Sequence, residues 1–157
     1  MDDALRAELL ELKDADQAFR QRMHEEHEAE AARTARIREI VAAHGWPGRA
    51  LVGDDGASAA WLLVQHADDD PEFQDRALEL MRAAVEAGDA DAGELAYLTD
   101  RVRVARGEAQ LYGTQFGRCG PHPIEDPDAL DERRGAVGLE PFADYAARFP
   151  TARRAST

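Results

Sequence analysis

The chain has 157 residues, enough for one domain with a buried core. Its 32 acids against 19 bases leave a formal charge of −13, a field that repels phosphate backbones and disfavours a nucleic-acid partner. Cys119 is the single cysteine, which excludes an intrachain disulfide and a cysteine-rich zinc centre.

The opening MDDALRAELLELK lacks the basic and apolar regions of a signal peptide, and no run reaches the length of a membrane span. The expectation is therefore a cytoplasmic protein with no membrane partner. Residues 3 to about 31 read as one amphipathic helix, because Leu5, Leu9, Leu12, Phe19 and Met23 recur at spacings of three, four and seven. Beyond Met23 the apolar face fades into HEEHEAEAAR. This divides the chain into an N-terminal helix (1–31), a helical core domain (32–149) and a tail (150–157). The acidic first helix is also the candidate seam of a homodimer, through Leu5, Leu9 and Leu12.

A second helix is expected to restart at Thr34, with Ile37, Ile40 and Val41 inward and a stop at Gly45 and Pro47. Residues 46–56 read as a glycine-rich loop, with Asp55 or Ser58 capping the helix after it. Residues 59–70, AAWLLVQHADDD, form the most apolar run of the chain. They predict a central helix that closes on Gln65 and His66. Asp70 and Pro71 open the next helix as cap and first residue. Its inward face is Phe73, Ala77, Leu80, Met81, Ala84 and Val85, and Gly88 ends it.

A further helix spans 91–106 with Leu95, Leu98, Val102 and Ala105 inward. From Gln110 the glycines, prolines and aromatics predict a small β-hairpin or irregular loop near 110–125. Asp126 and Pro127 open another helix, Gly138 breaks it, and Pro141 begins a last turn with Phe142, Tyr145 and Phe149. The fold class is mainly α, a single-domain helical bundle.

Among the polar residues, His66 stands out. It follows an apolar helix and precedes Asp68, Asp69 and Asp70, and a neighbouring carboxylate orients an imidazole for proton transfer. Tyr97, Asp100 and Arg101 lie within one helical turn, and the planar fork of Arg101 suits a substrate anion. Gln110, Tyr112 and Thr114 alternate, as side chains facing one way from a strand would. Arg133 and Arg134 are expected to pair with Glu125 or Asp126. His24 and His27 share a face with Glu28 and Glu30 but make only half a metal site. Cys119 has no base fixed beside it. No GxSxG, P-loop or GxGxxG followed by a helix occurs.

Five blocks then carry a resemblance: HGWPG at 44–48, AAWLLVQHADDDPEFQ at 59–74, AYLTDRV at 96–102, QLYGTQF at 110–116 and PIEDPDALDERRGAVGLEPFADY at 123–145. In this order they resemble a bacterial family of unknown function, found mainly in actinobacteria. The resemblance covers about residues 34–149. It implies that His44, Trp46, Gln65, His66, Asp68, Asp100, Arg101, Gln110, Tyr112, Gln115, Glu125 and Asp126 belong to a common design, and it brings no reaction with it.

The functional expectation is a small enzyme using acid–base chemistry, of hydrolase, isomerase or cyclase type, on a small polar metabolite and without a cofactor. His66, Asp68 and Asp100 are its catalytic candidates. Trp46, Gln65, Tyr97, Arg101, Gln110, Tyr112 and Gln115 are its substrate-binding candidates. Two alternatives stand beside it: a non-catalytic helical module for a protein or peptide, and a metal-binding protein using His66, Asp68 and His44 or His122.

Overall fold

A computed structural model describes residues 2–22 and 27–149, with side chains over 2–18 and 29–149. Among the described residues there are seven α-helices, one 3-10 turn and one two-stranded ribbon, so the protein is mainly α with a small hairpin. The chain divides into two compact units, Met1–Leu95 and Ala96–Thr157. The boundary falls within a helix.

The first unit contains α1 (Asp3–Arg22), α2 (His27–His44), α3 (Arg49–Gln65) and α4 (Pro71–Glu86). Helix α3 is its centre: α1 lies along it, and α2 and α4 pack against it. The core is built from Leu5 and Leu9 of α1, Ile37, Ile40 and Val41 of α2, Leu63 and Val64 of α3, and Phe73, Leu78 and Met81 of α4. Each such side chain contributes about 1.5–3 kcal/mol on burial. Leu5 and Leu9 thus face the chain's own core, while Leu12, the third residue of the stripe, is half-buried.

Several boundaries differ from expectation. Helix α2 already runs from His27, so Thr34 lies inside it. Met23 and His24, the side chains of Phe19, His27 and Glu28, and the tail 150–157 lie outside the described residues. The expected loop at 46–56 is helical from Arg49 onward. Its N-cap, Gly48, has no side chain to offer; instead Asp89 accepts from Ala50 N at 2.7 Å and Arg49 N donates to the Asp89 carbonyl at 2.9 Å. A kink at Gly53 (φ 76°, ψ 174°), a conformation open almost only to glycine, separates this opening turn from the long part of α3. Neither expected cap works as one: Ser58 donates to Glu94, and Asp55 pairs with Arg6.

Asp70 caps α4 as expected, accepting from Phe73 N at 3.1 Å, with Pro71 in the first turn. The inward face of α4 takes Leu78 in place of Leu80, which stays 39% exposed; Ala84 and Val85 are half-buried.

Helix α5 (Ala92–Ala105) crosses the boundary between the units. Leu98 and Val102 are buried, Leu95 is half-buried and Ala105 is exposed. The second unit continues with β1 (Phe116–Gly117), paired antiparallel to β2 (Gly120–Pro121). A 3-10 turn (Pro127–Ala129), α6 (Leu130–Ala136) and α7 (Phe142–Ala146) follow. Phe116 stacks on Phe149 at 4.4 Å and meets Tyr145 edge-on at 5.8 Å. Arg134 is wholly buried, its guanidinium 5.0 Å from the Tyr145 ring centre. Between Gln110 and Phe116 the backbone is irregular rather than a strand, with Gly113 at φ 69°, so the expected alternation of Gln110, Tyr112 and Thr114 does not arise.

Candidate functional site

The polar residues singled out in the sequence fall into two sets, one in each unit. In the first unit His66 ends α3 as its C-cap residue, with the side chain 18% exposed. Its Nδ1 lies 2.6 Å from Asp16 Oδ2, a carboxylate of α1 that is itself buried. Arg33 Nε of α2 approaches the other oxygen, Asp16 Oδ1, at 3.8 Å, and Arg33 too is buried. A buried carboxylate is tolerated here because a guanidinium compensates its charge. Donation from Nδ1–H to Asp16 would hold the imidazole in the tautomer whose Nε2 is an acceptor. An imidazole oriented through one ring nitrogen presents the other for hydrogen bonding or proton transfer.

Asp16 is thus a carboxylate on the imidazole that the sequence reading, with its Asp68 and Asp100, did not name. Asp68 instead accepts from Gln74 Nε2 at 3.4 Å. Gln74, buried on α4, also donates to the carbonyls of Val64 at 3.0 Å and Gln65 at 3.3 Å. It thereby gives the Gln65 carbonyl a donor at the helix end and adds a second to the Val64 carbonyl, which already accepts from Ala67 N at 3.1 Å. Gln65 is buried beside this tie. Trp46 is buried, and its indole Nε1 has no acceptor among the described residues.

Asp16, Arg33 and Gln74 carried a signal in the sequence that composition and motifs did not reveal. Asp16 follows Leu9 by seven and Leu12 by four, Arg33 precedes Ile37 by four and Ile40 by seven, and Gln74 precedes Leu78 by four and Met81 by seven. Each is a polar residue in register with an apolar stripe, so each is carried into the interior with it.

The second unit uses its polar residues differently. Asp100 is fully buried and accepts from Leu111 N at 2.7 Å, Tyr112 N at 3.0 Å, Thr114 N at 3.0 Å and Thr114 Oγ1 at 2.9 Å. Gln110, equally buried, donates to the carbonyls of Gln115 (3.0 Å) and His122 (2.9 Å) and accepts from Gln115 N (2.8 Å). Gln115 accepts in turn from Arg101 Nη1 at 3.3 Å. Arg133 donates to the carbonyls of Leu111 and Asp126, each at 2.9 Å, and Arg134 to those of Tyr112 and Glu140. Their expected carboxylate partners play a smaller part: Glu125 pairs with Arg103, and Asp126 Oδ2 stands 4.0 Å from Arg133 Nη1. Tyr97 meets Tyr145 edge-on at 6.0 Å, and the Tyr145 hydroxyl donates to the Thr114 carbonyl at 3.1 Å. Burial, then the hydrogen bond to Tyr97, pushes the Tyr145 phenol above its ordinary range.

Among the described residues no group of three or more His, Cys, Asp or Glu side chains is placed to hold a metal ion. His44 is exposed at the end of α2, and Cys119 is exposed in the hairpin turn. Among the same residues no helix is long and apolar enough to cross a membrane.

The geometry thus defines a mainly α protein whose first unit pairs a buried aspartate with a half-buried histidine. Residues 3–153 match a family of unknown function, DUF6624, and the chain belongs to that family. No curated protein and no solved structure matches the chain.

Proposed function

We propose that this is a small cytoplasmic enzyme of acid–base type, with His66 as its proton-transferring group and a small polar metabolite as its substrate. The observation that carries the reading is the 2.6 Å contact from His66 Nδ1 to the buried Asp16, with Arg33 behind it. In this reading Nε2 takes a proton from a substrate hydroxyl, a bound water or an activated carbon. Asp16 then stabilises the resulting imidazolium, and the same nitrogen returns the proton to the leaving group or to a neighbouring atom. Hydrolysis, isomerisation and cyclisation all use such a cycle. Asp100 has no part in it, since its oxygens are taken up by the 111–114 backbone and Thr114.

Two measurements test the proposal. Nitrogen-15 NMR of the histidines in the full chain should find neutral His66 protonated on Nδ1, and Asp16→Asn should erase that preference. Incubation with a bacterial metabolite extract, followed by proton NMR, should show turnover that His66→Gln abolishes while its melting curve stays close to the parent's. A His66 protonated on Nε2, or turnover unchanged in His66→Gln, overturns it.

A further inference from the structure

The first unit also carries a groove of about 350 Å³ between α2 and α4, and His66 is not among the residues that line it. Val41 and Phe73, both almost fully covered, form its floor with Ala42 beside them. Leu80 stands at its edge, 39% exposed although its spacing on α4 predicts burial. Arg38 and Arg76 flank this apolar surface. The charge of Arg38 is answered by Asp70 at 2.9 Å. Arg76 has no ion-pair or hydrogen-bond partner among the described residues, although acids outnumber bases 32 to 19 in the chain. Other surface arginines of this unit do have one: Arg36 pairs with Glu8 and Glu39, and Arg82 with Glu79.

We propose that the groove binds a small amphipathic carboxylate, its aliphatic chain on Val41, Phe73 and Leu80 and its carboxylate on Arg76. The planar guanidinium fork of arginine matches a carboxylate with two parallel hydrogen bonds. The volume lies near the lower end of small-molecule sites, which run from roughly 300 to 1,000 Å³. A chain of charge −13 repels a polyanion or an acidic protein partner more strongly than a single carboxylate, which leaves the monoanion the least penalised anionic ligand. The site stands independently of the proton-transfer reading of His66.

The test is an NMR and calorimetric titration of the full chain with octanoate below its micellar concentration, beside octanol. Octanoate should saturate, shift amides of α2 and α4, and bind at least about tenfold tighter than octanol. Arg76→Gln, a change on an exposed face, should bring octanoate down to the octanol level and leave octanol unchanged. His66→Gln should bind octanoate like the parent, which separates this proposal from the previous one. Equal binding of octanol and octanoate, or an Arg76→Gln variant that binds octanoate as before, overturns it. A peptide ending in a free leucine carboxylate that binds at least about tenfold tighter than octanoate also overturns it, by assigning the groove to protein C-termini.

Discussion

Asp16 in the first unit and Asp100 in the second are both buried aspartates, but their donors differ in kind. Asp100 accepts from three backbone amides and a threonine hydroxyl, none of which releases its proton near neutral pH. Asp16 faces an imidazole and a guanidinium, and the imidazole can exchange its proton. Burial alone therefore does not separate a structural carboxylate from a chemical one; the mobility of the partner's proton does. Asp100 shapes a loop, whereas Asp16, under the proposed function, shapes the behaviour of a base.

The sharpest way to break this contrast is Asp100→Ala. It leaves the amides of Leu111, Tyr112 and Thr114 without their acceptor, at about 1–3 kcal/mol for each buried donor. The expected result is a loss of several kcal/mol, on the order of 3 or more, with rapid hydrogen exchange at those three amides. Exchange as slow as in the parent would show that the loop stands without its anchor.

Gly113→Ala attacks the same loop sterically. The residue has φ 69°, and an added Cβ would lie 2.7 Å from the Phe142 ring. A cost of about 2 kcal/mol is expected in denaturant unfolding. For the first unit, a cycle of Asp16→Asn, His66→Gln and the double variant should give a coupling of about 1–2 kcal/mol in stability. A coupling near zero would mean that the short contact contributes nothing, and the comparison with Asp100 would lose its second half.

The smallest effect concerns a third carboxylate. Glu94 is half-buried and accepts from Ser58, and burial raises its pKa above the ordinary 4.5 against the opposing pull of that hydrogen bond. The folded unit therefore favours protonated Glu94. Its contribution is fully present below pH 4.5 and is lost as pH rises through the elevated folded value. Glu94→Gln should be at least as stable as the parent at neutral pH, and a melting-temperature profile should show a shallower decline on leaving the acid range.

Much of the helical framework was legible because it rests on local rules. The Asp70 and Pro71 start of α4 is one case, and the buried Ile37, Ile40 and Val41 of α2 are another. The start of α3 was not legible, since its cap comes from Asp89 across the α4–α5 connection while the glycines around it read as loop. The site obeyed the same logic. His66 was visible because it ends an apolar run, but its partner Asp16 lies 50 residues away, and proximity in sequence pointed instead to Asp68. Gln110 and Asp100 were visible as unusual polar residues. Their role was hidden because a side chain that holds a loop together and one that lines a pocket look alike until the backbone donors are placed.

The carboxylate that completes the first turn of α3 arrives 39 residues after the amide it serves. A chain that stops short of Asp89 therefore leaves the opening turn of α3 without this acceptor. A chain released at residue 86 would contain all four helices of the first unit and still lack the group that closes the middle one.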